Sequence, residues 1–412
     1  MTNEKDGETA HPAEGAVSPT VTTGTTGTAG KRNNGIELLR FLFTTIIILF
    51  HINLDLWDRK KTIALVRGIP VTFFRHGNMG VEFFFLVTGY LMAASIYKKI
   101  RAGKETPGLR TGLVRETMQF IEHKAKAILP YYLTACALTP LVRFMTGRSL
   151  GTSYFVKRLP SLLFLQRMGL GRPFIGCTWY LSSLFIAMFF VYPLCRRFYR
   201  AYTRIFAPLL CAALLGAIIA LTGSLGDIED WFFFTYKTNI RAFAEMSMGA
   251  TAFELSRLIR GPVRSVFVRA LITLSALAGL ALTGVYMCSS ADESYGILCF
   301  YLLFIVVTMV FSGEGLLCHA GVFRSPFFAW LGAVSLPMYV SQTLLRMLVP
   351  CCFEKSGQWT QCFLIYAGVL LLGIVMHTVV TCAVERSLPK IPGLSLLRVR
   401  ALKDPDAFFR SR

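Results

Sequence analysis

Arg40 and His51 lie in the first apolar run of the chain, ELLRFLFTTIIILFHI, where a guanidinium and an imidazole each cost free energy unless they have a role. At about 100° per residue, a separation of eleven positions leaves them roughly 20° apart around a helix and about 16.5 Å apart along it. They share one face. In a bilayer with a hydrocarbon core of about 30 Å, an arginine near one surface is then aligned with a histidine close to the midplane. Histidine titrates nearest neutrality, so it can serve as a base or a nucleophile. A guanidinium grips phosphate oxygens with a two-pronged fork. The pair suits a long ligand with an anionic head and a reactive far end.

The elements that carry this pair are membrane helices. Hydrophobic residues make up 54% of the 412 and charged ones only 16%, which excludes a soluble two-domain protein and gives an all-α polytopic membrane protein. Apolar runs of spanning length fall near residues 36–56, 79–97, 127–146, 177–195, 205–223, 240–256, 270–288, 295–312, 328–350 and 361–384, about ten transmembrane helices in all. An even number places both ends on one side. Most of the 43 Lys and Arg lie on the side of the termini, so both termini are expected in the cytoplasm, although the opposite loops 57–76 and 147–176 are themselves basic. The formal charge of +20 then reflects orientation and contact with anionic lipid, with no nucleic acid as partner.

Residues 1–35, rich in Thr, Gly, Ala and Pro without apolar periodicity, read as a disordered cytoplasmic leader, residues 36–386 as the transmembrane domain and 387–412 as a basic cytoplasmic tail. The first apolar run begins late and shows no small-residue cleavage site, so it stays as a span. The eleven cysteines form no CxxC or metal-type spacing and read as buried thiols, and no metal is expected.

Other polar residues fall inside the spans. Arg241 and Glu245, four apart, share a face of the sixth span as a charge pair. Glu82 opens the second span, either facing the cavity of His51 or resting near a helix N-terminus. Thr88 either lines that cavity or bonds back within its helix, and Gly80 and Gly89 mark close helix packing. Trp179 opens the fourth span as an interfacial aromatic or a substrate contact. Tyr339 donates a hydrogen bond or packs. Arg346, one turn from Gln342, points to a polar cavity there. Lys124 and Lys126 are expected in the loop 98–126, as a solvated cluster or a phosphate contact.

The chain resembles the acyltransferase 3 family of integral membrane acyltransferases. The resemblance rests on Arg40 and His51 with ten residues between them in the first helix, and on GVEFFFLVTG (80–89), similar to that family's GVDxFFxxSG stretch with Glu82 for Asp and Thr88 for Ser. In order follow EHKAKAILPYY (122–132), Trp179 to Leu181, RAFAEMSMG (241–249), LGAVSLPMYVSQ (331–342) with Gln342 where histidine is common, and Glu385. The resemblance implies a cytoplasmic donor, acetyl-coenzyme A or another acyl-coenzyme A, and transfer to a hydroxyl of a cell-envelope glycan, lipid-linked or small-molecule acceptor.

On that reading His51, Arg40 and Glu82 are catalytic; Arg241, Glu245, Thr88, Trp179, Tyr339 and Gln342 bind substrate; and Arg40, Lys124 and Lys126 hold the donor. The expected location is the plasma or inner membrane of a prokaryote. A polytopic transporter or glycan flippase is the other class that ten spans with buried charges would build, but no internal repeat supports paired halves.

Overall fold

The computed structural model describes residues 34–104, 112–260, 265–319 and 325–386; the leader up to residue 33 and the tail 387–412 lie outside the described residues. Ten long helices follow one another: α1 (Asn34–Trp57), α2 (Gly80–Arg101), α3 (Val114–Met145), α4 (Trp179–Arg197), α5 (Tyr199–Thr222), α6 (Lys237–Ile259), α7 (Val266–Met287), α8 (Gly296–Ser312), α9 (Pro326–Cys352) and α10 (Gln358–Arg386). Two short antiparallel hairpins interrupt them, β1 (Thr62–Val66) with β2 (Ile69–Thr72), and β3 (Trp231–Phe232) with β4 (Thr235–Tyr236).

Among the described residues, nine of these helices are long and apolar enough to cross a membrane. The chain is an all-α polytopic membrane protein. The tenth, α6, carries Lys237, Arg241, Glu245, Glu254 and Arg257 and is buried along almost all its length. Its charges are tolerated because the other helices, rather than lipid, surround it. Helices at the periphery have the opposite character: Leu209 on α5, Leu274 on α7 and Leu371 on α10 are exposed, as a hydrocarbon boundary requires. Local chemistry sets the helix starts. Ser265 caps α7 by accepting from the Val268 amide, and Ser325 caps α9 by accepting from Phe327, with Pro326 at the first helical position.

α1 and α9 run parallel and touch along their whole length. The Asn34 amide donates to the Ser325 carbonyl at 3.1 Å where both helices begin, and Arg346 grips Asp55 where both end. α10 runs back against α1, with Gln358 donating to the Leu56 carbonyl at 2.7 Å and Tyr366 bonded to Thr45 at 3.2 Å. The start of α1 and the end of α10 therefore lie on one face of the bundle, here the entry face. The opposite, far face carries both hairpins.

One expected position needs correction. The loop expected over 98–126 is shorter, because α3 begins at Val114 and takes Lys124 and Lys126 into a span. Its amphipathic first turns bind the bundle: Phe120 is buried against Tyr192, with ring centroids 4.7 Å apart.

The densest helix contact joins α2 to α6. A Cβ on Gly89 would overlap the carbonyl of Met246, and a Cβ on Gly249 would overlap that of Leu86, so each backbone occupies the place of the other's missing side chain. No flexible side chain can give way there. Gly89→Ala is expected to cost about 1–3 kcal/mol through overpacking, against the gain of up to about 1 kcal/mol that a helical Gly→Ala change otherwise brings. Gly216→Ala on α5, which meets open space, is the control. Thermal unfolding of the two purified variants in detergent should show a lowered midpoint for the first and none for the second, and equal midpoints would contradict the contact.

Candidate active site

At the entry end of α1, Arg40 is buried and its Nη1 lies 2.6 Å from Glu37 Oε2, one turn earlier. Glu37 in turn packs against Gly332 of α9, where any Cβ would collide with its carboxylate. The glycine lets α1 approach closely enough for a charged pair to sit between the helices. Arg40 points into protein. It is within electrostatic range of the Tyr180 hydroxyl on α4, as are Glu245 of α6 and, at hydrogen-bonding reach, Thr88 of α2. Tyr180 thus stands where α1, α2, α4 and α6 meet.

Further along α1, the His51 ring is partly exposed and its Nδ1 lies 2.9 Å from the Ile47 carbonyl. A carbonyl only accepts, so Nδ1 carries the hydrogen and donates, and in the neutral ring Nε2 keeps its lone pair. The free nitrogen is the one a base or an acyl carrier uses. Gln342 of α9 lies beside the ring; its Nε2 donates to the Tyr339 carbonyl at 2.9 Å, while its Oε1, fully buried, has no hydrogen-bond partner among the described residues. Arg346, also within electrostatic range of the ring, is held by Asp55 through two bonds of 2.5 and 2.7 Å. Glu37, His51 and Asp55 therefore all meet α9.

A second charged group lies across the bundle. Arg241 is clamped by Glu82 of α2, Nη2 to Oε1 at 2.5 Å, and by Glu245 of its own helix, Nε to Oε1 at 3.3 Å, while its Nη1 donates to the Leu225 carbonyl. Both carboxylates are completely buried. The i, i+4 pair expected on the sixth span is present. Glu82, expected on the His51 cavity, instead faces α6, and the ring is oriented by the Ile47 carbonyl.

The remaining expected residues fall out as follows. Thr88 bonds back to the Phe84 carbonyl at 2.8 Å. Trp179 is buried beneath two guanidinium groups, Arg241 at 6.0 Å and Arg167 at 5.9 Å from its ring centre, so it is not a lipid-interface aromatic. Tyr339 donates its hydroxyl to the Cys177 carbonyl, tying α9 to the turn before α4. Lys124 is buried, its ammonium 5.3 Å from the Phe120 ring centre, rather than solvated, and Lys126 is paired with Glu122. Glu385 lies beyond the described side chains.

Sequence reasoning passed over Glu37 and Asp55, and read Tyr180, beside Trp179, as an aromatic at the outer interface. Both acids were legible: Glu37 stands three residues before Arg40 and Asp55 four after His51, the spacings at which helical side chains meet. Nothing in the local pattern shows that Tyr180 is buried against three other helices. Removing Arg241 strands two buried carboxylates, so Arg241→Leu is expected to destabilise the bundle by about 3–5 kcal/mol, read as a fall in the unfolding midpoint and in the folded yield on size-exclusion chromatography. A variant as stable as the parent would show that the clamp does not hold α2 to α6.

Neither a curated protein nor a solved structure matches the chain. The acyltransferase 3 family model, an acyltransferase domain, matches residues 33–384, which span all ten helices and both charged groups. The chain belongs to that family and is a multi-pass membrane acyltransferase.

Proposed function

We propose that the protein moves an acyl group, acetyl in the simplest case, from a cytoplasmic acyl-coenzyme A to a hydroxyl of a cell-envelope glycan or a related acceptor at the plasma or inner membrane. One observation carries this reading: Arg40 is buried on α1 at the entry face, and His51, deeper on the same helix, lies beside Gln342 of α9 with Nδ1 already bonded to the Ile47 carbonyl. The arm of the donor runs along that wall.

Arg40 meets a phosphate of the donor, exchanging its Glu37 contact for a charge-assisted pair with the ligand. His51 Nε2 meets the reacting end. As base it takes the proton of the acceptor hydroxyl while the oxygen attacks the thioester carbonyl; the carbon–sulfur bond breaks, and the thiolate recovers a proton. As carrier it takes the acyl group first and passes it to the hydroxyl. The hydrogen bond from Nδ1 to Ile47 prepares the ring for either course.

Gln342, with one open oxygen beside the ring, is the contact we assign to the acceptor hydroxyl or the thioester; Thr88, Trp179 and Tyr339 line the approach; and Glu82, Arg241 and Glu245 hold its shape. Lys126, near the entry face on α3, is a secondary donor contact. The basic ends of α2, α4 and α6 (Lys98, Lys99, Arg101, Arg196, Arg197 and Arg257) support a cytoplasmic entry face.

His51→Ala is expected to lower turnover of radiolabelled acyl-coenzyme A by about 10²–10⁴-fold with normal membrane insertion; a variant that keeps full activity would end the assignment. Arg40→Ala is expected to lower kcat/KM for the donor about 10–100-fold, chiefly through KM, as loss of a hydrogen bond to a charged group predicts. A fall confined to kcat would move Arg40 from donor binding to the chemical step.

A further inference from the structure

The carboxyls of Glu82 and Glu245 make one unusual arrangement that the proposed chemistry does not use. Both residues are completely buried. Each offers Oε1 to Arg241 and leaves Oε2 without a partner among the described residues, and the two carboxyls lie close enough to hydrogen-bond each other. Two carboxylates would place two negative charges against one guanidinium in a low-dielectric interior, with two buried acceptors unmatched. Isolated buried charge of that kind is costly, as is each unmatched oxygen.

A single hydrogen removes all three defects. We propose that Glu82 and Glu245 form a proton-binding site, holding one proton between their Oε2 atoms so that the pair carries a single negative charge matched by Arg241.

The surroundings leave that balance intact. The titratable groups that face the pair from the other helices are hydroxyls and thiols: Tyr180 of α4 and Cys211 of α5 near Glu245, Tyr286 of α7 and Cys299 of α8 near Glu82. Lys237, one turn before Arg241 and fully buried, is engaged by Asp227 at 3.7 Å and Asp230 at 3.2 Å. Arg241 is the ion-pair partner of both carboxylates among the described residues. A sodium ion is the other ligand two carboxylates can take, but oxygens at mutual hydrogen-bonding reach favour a proton over a metal ion with its own six or so oxygen ligands.

The inference does not rest on the acyltransferase chemistry, and its test needs no substrate. Infrared difference spectra of the purified protein at neutral pH should show the carbonyl stretch of a protonated carboxyl, shifted on transfer to deuterium oxide and absent in both Glu82→Gln and Glu245→Gln. Each single amide mimics the protonated acid in shape, so both variants should fold; if one does not, the other suffices, because either removes the shared proton. A wild-type spectrum without that band, or a band that survives both substitutions, overturns the proposal, as does a band that vanishes when sodium replaces potassium in the buffer.

Discussion

A charge inside a membrane bundle has to be met by an opposite charge or by fixed dipoles, and in this protein that requirement decides which helices touch. Glu37 answers Arg40 between α1 and α9, Asp55 answers Arg346 at the far end of the same two helices, and Glu82 and Glu245 answer Arg241 between α2 and α6. Each pair lies beside a close backbone approach or a helix end. Gly332 makes room for Glu37, and Gly89 and Gly249 bring α2 and α6 together. Hydrophobic burial distinguishes poorly between one apolar helix and another inside lipid, so small residues and buried ion pairs supply the specificity that apolar surface cannot.

α6 shows the constraint most clearly. Its five charged residues would make it a poor spanning helix alone, and its composition keeps it below the apolarity of its nine companions. Inside the bundle the same charges become anchors: Lys237 to the acidic loop before it, Arg241 to α2, and Glu254 to Arg204 of α5 and to Arg257. The helix that the lipid would reject is the one around which the others pack.

Much of this was legible in the sequence. Long apolar runs gave the helices to within a few residues except for α3, whose polar first turns hid its start. The pairing of Arg241 with Glu245 followed from helical arithmetic. Periodicity places residues on one helix but says nothing of which helix stands opposite. For that reason neither expectation for Glu82, the His51 cavity or a helix N-terminus, named Arg241 as its partner, the interfacial reading of Trp179 missed the two guanidinium groups above it, and Tyr180, read as an interfacial aromatic, is buried at a four-helix junction. Lys124 was placed in solvent because an ammonium is usually found there, yet a four-carbon stem beside the Phe120 ring allows it to sit buried in α3.

The pairing of Arg40 with Glu37 bears on how an anionic ligand is received. A guanidinium left bare in the interior would carry a desolvation penalty of several kcal/mol before any ligand arrived. With Glu37 in place that penalty is already offset, and the phosphate of the proposed donor would exchange one ion pair for another rather than bury a new charge. The proposed exchange also gives up the Arg40–Glu37 pair, so affinity for the anion would be moderated rather than maximal. A moderate grip suits an enzyme whose donor must leave after each transfer, because binding that is equally strong before and after the chemical step adds nothing to turnover.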